Sequence, residues 1–228
     1  MLVLLPGLDG TEVLFEPLLK ELELQAQTVR YPQVEAAGYA DLLPGVLDAL
    51  PKDERFVLLG WSFSGPLALL AAARRPTGLA GVILCASFVR KPVRFVPRWA
   101  RYLVRPGLCA RFGRLSRLKA LTGGYSTPAL DDLLARAHQR VPATVIAARV
   151  RATLSVNVES ELRACPVPVL YLGGTRDFVV PRNNALSISK LRPNVQTVFI
   201  SGPHLALATN PVAAAAVVTR FCQRSLAQ

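Results

Sequence analysis

The chemistry of this chain gathers around one hydroxyl. Gly60-Trp61-Ser62-Phe63-Ser64-Gly65 lies where an apolar run, Phe56-Val57-Leu58-Leu59, gives way to a helical one, Pro66-Leu67-Ala68-Leu69. A serine flanked by small residues two before and two after suits a tight strand-to-helix turn that holds its hydroxyl above a sheet. Gly60 and Ser64 flank Ser62 in this way, and Gly65 lets the helix come close. Ser64 is the poorer nucleophile, because its own second neighbour is Pro66.

A serine nucleophile needs a base, and the chain offers two histidines. His204, in Ser201-Gly202-Pro203-His204, follows the last apolar run and precedes a terminal helix. That is a loop at the carboxyl end of a strand. His138 falls in a helix of the middle region and is read as a surface or packing histidine. A carboxylate must then orient the imidazole. Asp177 follows the run Val167–Leu172 directly, whereas Glu159 and Glu161 precede it, at its wrong end. Asp9 competes, but it sits in a different loop, Leu5-Pro6-Gly7-Leu8-Asp9-Gly10. Gly7 permits a tight turn there, so the N–H of Leu8 can point inward and join that of Phe63 as a pair of oxyanion donors. Trp61 and Gly7, next to these donors, are assigned to substrate binding. The chemistry implied is acyl transfer through a covalent serine intermediate, which calls for no metal and no organic cofactor. The loop is not G-x-G-x-x-G, and no G-x-x-x-x-G-K-S/T occurs, so a nucleotide phosphate is not the expected ligand.

These loops need a scaffold. Leu2–Leu5, Gln27–Tyr31, Phe56–Leu59, Leu79–Ala86, Val167–Leu172 and Val195–Ile200 read as strands. Helical patterns at Val13–Leu24, Tyr39–Leu50, Gly65–Arg75, Pro181–Leu191 and Pro211–Cys222 alternate with them. Asn210 should cap the last helix, with Pro211 in its first turn. Strands apolar throughout belong to a sheet buried on both faces, and strand–helix alternation makes it parallel. The fold class is α/β: a mostly parallel, doubly wound sheet with ligands at the carboxyl ends of its strands. Residues 88–161 break the alternation and read as a helical insertion, leaving 1–87 and 162–228 as the core.

Composition narrows the classes further. The chain has 228 residues, enough for one domain with an insertion, and its 51% hydrophobic and 18% charged content excludes disorder. No apolar run reaches the roughly 18 residues of a membrane span. The start, with Pro at position 6 and no basic residue before it, does not resemble a secretory leader. Cys85, Cys109, Cys165 and Cys222 lie far apart, so reduced thiols and a cytoplasmic location are expected.

The four landmarks together resemble the α/β-hydrolase family of serine hydrolases. Leu5–Gly10, Gly60–Gly65, Gly173–Asp177 and Gly202–His204 match its motifs in order over nearly the whole chain. The order Ser62, Asp177, His204 is that family's order. Within it the chain is most similar to small carboxylesterases with a helical cap, the group that includes pimeloyl-carrier-protein methyl ester esterases. The resemblance implies a carboxylesterase with a triad, an oxyanion hole and a cap over 88–161. Thioesterase or acyltransferase activity on carrier-bound or lipid acyl chains, or a binding role with incidental turnover, are the alternatives. The chain departs from the family in beginning directly at the oxyanion strand, in opening that motif with Pro6-Gly7 where many relatives have His-Gly, and in carrying Ser64 where glycine is usual.

The net charge is +12, unevenly spread. Ten Lys or Arg and no Asp or Glu occur between Arg90 and Lys119. Arg98, Arg101 and Arg105 are expected on one helical face, and Arg111, Arg114 and Arg117 on a second. Such a cationic stripe suits a solvated surface, an acidic carrier protein or an anionic membrane. Nucleic acid is not expected, since no recognised module accompanies the charge.

Overall fold

The computed structural model describes residues 1–34, 38–93, 95–115, 121–125 and 127–227, with side chains for all of these except 98 and 111–115. Six strands form one sheet: β1 (Leu2–Leu5), β2 (Ala26–Thr28), β3 (Phe56–Trp61), β4 (Leu79–Cys85), β5 (Val169–Gly174) and β6 (Gln196–Ile200). Their order is β2-β1-β3-β4-β5-β6, and every pairing is parallel. Successive side chains of a strand point to opposite faces. Val3, Leu5, Leu58, Val82 and Leu84 therefore enter one core, and Leu2, Leu4, Val57, Leu59 and Ile83 the other. Burial on both sides is why these strands read as unbroken apolar runs.

From β1 the strand order runs one way to β2 and the other way to β3. The carboxyl ends of β1 and β3 thus stand side by side at the reversal, with Leu5 opposite Gly60. Ligand crevices open at such a point in doubly wound sheets.

Helices α1 (Glu16–Glu21), α2 (Tyr39–Asp48), α3 (Ser64–Ala73), α7 (Glu159–Ala164), α8 (Asn183–Leu191), α9 (Ala206–Thr209) and α10 (Pro211–Ala227) connect or follow the strands. The long helix expected over Val13–Leu24 is instead a 3₁₀ turn, Val13–Phe15, followed by the short α1. Pro17 fits best in a first helical turn, where its missing N–H costs nothing, and the α-helix begins at Glu16. Asn210 stands at the head of α10, where its carbonyl accepts the Ala214 N–H at 3.1 Å, and its side-chain amide donates to the Ser201 carbonyl at 2.9 Å, closing the loop that carries His204.

Between β4 and β5 the chain runs through a 3₁₀ helix (Arg98–Leu103), α4 (Pro106–Leu115), α5 (Pro128–Gln139) and α6 (Ala143–Ser155). This stretch leaves and returns at one neck, where Arg90 bridges Asn157 and the Val158 N–H donates to Val89 O at 2.8 Å. The single helical face expected for Arg98, Arg101 and Arg105 is not formed. The 3₁₀ helix ends at Leu103, and Pro106 starts a new helix after an extended Val104. The side chains of Arg98, Arg111 and Arg114, and all of Arg117, lie outside the described residues. Leu130, Leu133 and Leu134 of α5 join the core cluster that contains Leu14 and Trp61. Arg136 forms a bidentate ion pair with Glu16, both bonds 2.7 Å, and Arg140 meets Glu12 at 2.9 Å. Among the described residues, no helix is long and apolar enough to cross a membrane.

Candidate active site

Ser62 stands between β3 and α3 with φ +52°, a left-handed conformation that is strained for a residue with a side chain. Its surroundings dictate that turn. A Cβ on Gly60 would collide with the backbone of Ser64 and Gly65, and one on Gly65 with Ser87. The backbone of Ser62 is pinned at both ends: its N–H donates to Cys85 O at 2.8 Å, and its carbonyl accepts Ser87 Oγ at 2.6 Å. What remains free to react is the hydroxyl.

Three residues from three strand ends meet there. His204 Nε2 lies 2.9 Å from Ser62 Oγ, and His204 Nδ1 lies 2.8 Å from Asp177 Oδ2. The other Asp177 oxygen accepts the N–H groups of Val179 and Val180 at 2.9 and 2.8 Å. The carboxylate is thus fixed by its own loop and aims one oxygen at the imidazole. That contact places the proton on Nδ1 and leaves Nε2 as an acceptor for the serine hydroxyl. Both side chains are buried, so water cannot compete for these bonds.

Asp9 has other partners. It accepts the N–H of Thr11 at 3.0 Å and the Thr11 hydroxyl at 2.5 Å, and burial pushes its carboxyl pKa up against the opposing effect of those bonds and of Arg149. Glu159 pairs with Arg90 at 3.1 Å.

In the loop after β1, every carbonyl from Pro6 to Gly10 accepts a hydrogen bond. Ser64 Oγ donates to Pro6 O, the Gly10 N–H to Gly7 O, Arg149 Nη1 to Leu8 O, Gln33 Nε2 to Asp9 O, and the Tyr31 N–H to Gly10 O. With the acceptors all engaged, the peptide planes are set. Among the described residues nothing accepts the N–H of Leu8 or Phe63. On the Phe63 side, Tyr39 donates to the Phe63 carbonyl at 3.0 Å and stacks on its ring at 4.7 Å.

Two of these clamps escaped the sequence reading. Ser64 was valued there only for its small size, but its hydroxyl joins the Ser62 turn to the β1 loop. Its one proton goes to Pro6 O, so the Tyr31 hydroxyl, 2.6 Å away, donates to Ser64 Oγ. Arg149, fully buried in α6, also donates to Pro32 O at 3.2 Å and lies 5.6 Å from the Tyr31 ring centre. The signal was available: Arg149 falls four residues after the buried Val145, on the face where an apolar residue is due.

A cavity of about 470 Å³ opens above Ser62 and His204, walled by Gly7, Leu8 and Trp61 below and by the helices of the 88–161 stretch above. Leu134, Val141, Ile146 and Val150 make its upper wall apolar, and His138 reaches that wall as a half-buried polar group. The buried indole N–H of Trp61 has no partner among the described residues. Trp61 packs on Phe15 at 5.3 Å. Also among the described residues, no three His, Cys, Asp or Glu are grouped to hold a metal ion.

A family model described as alpha/beta hydrolase fold matches residues 5–211. The chain is 26% identical over 211 residues to a pimeloyl-[acyl-carrier protein] methyl ester esterase of Yersinia enterocolitica, covering 86% of this chain and 80% of that protein. It is 26% identical over 205 residues to a pyrrolizixenacetamide deacetylase of Xenorhabdus hominickii, covering 83% and 69%. The crystal structure of an enol-lactonase from Burkholderia xenovorans superposes with a TM-score of 0.79 at 19% identity, over 96% of this chain and 90% of that one.

Proposed function

The chain belongs to the α/β-hydrolase family as an ester hydrolase, and we propose that it works as a serine carboxylesterase with Ser62 as nucleophile, His204 as general base and acid, and Asp177 as the group that orients His204. The observation that carries this reading is the continuous hydrogen-bonded line Ser62–His204–Asp177 at 2.9 and 2.8 Å beneath an apolar cavity.

The cycle follows from that line. Ser62 Oγ attacks the acyl carbon as His204 Nε2 takes its proton, and the developing imidazolium faces the Asp177 carboxylate. The N–H groups of Leu8 and Phe63 receive the oxyanion. Collapse expels the alcohol, which leaves with the proton from His204, and Ser62 holds the acyl group as an ester. Water then gives a proton to His204, adds to the acyl carbon and releases the acid, and the proton returns to Ser62. Residues 88–161 act as a cap whose leucines and valines pack on an apolar acyl chain, with Trp61 and Gly7 closing the floor. Of the two relatives named above, one is a methyl ester esterase and the other a deacetylase. Attack on a carbonyl by Ser62 serves both.

The test is a panel of nitrophenyl esters of increasing acyl length on wild type and Ser62→Ala. Turnover should fall by about 10⁴-fold or more in the variant for every ester, with the fold unchanged by circular dichroism. Wild-type rates in Ser62→Ala overturn the assignment.

A further inference from the structure

The charge and the exposed apolar surface of this protein coincide. Between residues 88 and 161 there are fourteen Lys or Arg against four Asp or Glu, which accounts for ten of the twelve net charges. Within that stretch, the turn at Phe95, the 3₁₀ helix and the start of α4 present large side chains to solvent: Phe95 is 97% exposed, Trp99 62%, Tyr102 72%, Leu103 57% and Leu108 47%. Isolated exposed hydrophobics are ordinary, but five within fourteen residues mark a contact surface.

Three described cations lie beside them. Among the described residues no carboxylate pairs with Arg101, Arg105 or Arg151. Arg101 instead lies over the Tyr102 ring at 4.7 Å and donates to its hydroxyl at 2.6 Å and to Ser155 Oγ at 3.1 Å. Arg151, from α6 behind this layer, donates to Val104 O at 3.2 Å. The same stretch forms the rim of the cavity, since Val104 and Leu108 line it together with Ser62.

We propose that this face docks the protein on an anionic lipid bilayer, so that an ester with an apolar acyl chain passes from the bilayer to Ser62 by way of Val104 and Leu108. Only the passage rests on the esterase reading; the docking does not. Phe95, Trp99, Leu103 and Leu108 enter the headgroup–acyl boundary, where aromatic side chains are at home. The guanidinium groups meet lipid phosphates, which they bind through paired N–H donors. A folded acidic partner is the other reading of this charge. Charge alone suits either partner, but Phe95, Trp99, Tyr102, Leu103 and Leu108 stand exposed among these cations, and basic side chains interleaved with aromatic and aliphatic ones are what a headgroup–acyl boundary receives.

The two tryptophans provide the readout, because Trp61 is 2% exposed and Trp99 62%. Ser62→Ala protein is mixed with vesicles of phosphatidylcholine alone or of equimolar phosphatidylcholine and phosphatidylglycerol, and emission and sedimentation are followed. Anionic vesicles should shift the emission to the blue and pellet the protein, and high salt should weaken both effects. Phe95→Ser with Trp99→Ser should lower vesicle affinity by about tenfold or more. The same pair on an intact Ser62 background should leave turnover of a short, soluble ester unchanged. Absence of binding to either vesicle, equal binding to both, or full binding by the double variant overturns the proposal. Binding of an acidic carrier protein where anionic vesicles fail overturns it in favour of a protein partner. Vesicle binding by a wild-type protein that hydrolyses no ester leaves the docking in place and removes the esterase reading instead.

Discussion

Arg149 Nη1 donates to the carbonyl of Leu8 at 2.7 Å across 141 residues of chain. A buried cation is costly unless its donors find partners; Nη1 and Nη2 of this one reach backbone carbonyls of two loops, while its Nε has no partner among the described residues. Burial lowers its pKa, and the neighbouring Asp9 carboxylate opposes that shift. The contact joins a helix of the 88–161 stretch to the loop that presents the Leu8 N–H.

Replacing Arg149 by Met should lower kcat by about 10²-fold, close to the loss of an oxyanion donor, with KM changed little. Leu8 O and Pro32 O lose a shared donor, and the loop is free to turn its N–H away. Lys should not rescue, because one ammonium cannot span both carbonyls as the guanidinium fork does. Steady-state kinetics with a parallel thermal melt checks this. A lowered Tm with wild-type kcat means that Arg149 serves stability alone.

Ser64→Ala separates the clamp from the chemistry. It leaves Pro6 O without its donor and the Tyr31 hydroxyl without its acceptor, both inside the protein. The expected cost is about 1–3 kcal/mol, read from the urea midpoint, with turnover still measurable. Tyr31→Phe on top of Ser64→Ala should cost less than it does alone, because the hydroxyl it removes is already orphaned. Additive losses would show that the two groups do not act through one another.

What the sequence discloses here is local. The Gly60–Gly65 turn can be read because its steric demands fall on adjacent residues, and the central strands β1, β3 and β4 because burial on two faces removes every polar position from them. Contacts that span the chain leave weaker marks. Arg149 is one of many arginines until its place on the buried face of α6 is known, and Ser64 satisfies a size rule that conceals its hydroxyl's use. The basic stripe failed as a helical pattern for a backbone reason, since Pro106 begins a new helix and so separates Arg105 from Arg98 and Arg101. The donation from the Asn210 side-chain amide to Ser201 O leaves no mark in the sequence either, because only the fold of the loop after β6 brings the two together.

Asp177→Asn tests the orienting carboxylate. The amide oxygen can still accept the Val179 and Val180 N–H groups, so the loop should hold. An NH₂ group then faces His204 and forces the other tautomer, with the proton on Nε2 and no acceptor for Ser62. Turnover should fall by about 10⁴-fold at neutral pH, while the melting temperature stays near that of wild type. A loss below tenfold would remove Asp177 from the mechanism.

The Glu16–Arg136 pair ties α5 to α1. The bidentate bond from Arg136 holds the Glu16 carboxyl below its ordinary pKa of 4.5. A carboxylate whose folded pKa is depressed contributes stability that is complete above its unfolded value and is lost as the pH falls through its folded one. Docking of α5 should therefore be constant from pH 7 down to 4.5 and loosen below it. Protection factors of the α5 amides against hydrogen exchange measure this directly. In Glu16→Gln the protection should be lower at pH 7 and should show less of the fall below pH 4.5. Because both side chains are more than a third exposed, the effect is confined to local opening of the helix. A wild-type protection profile that stays flat through this range, or one that the substitution leaves unaltered, would place the anchor of α5 in Leu130, Leu133 and Leu134 alone.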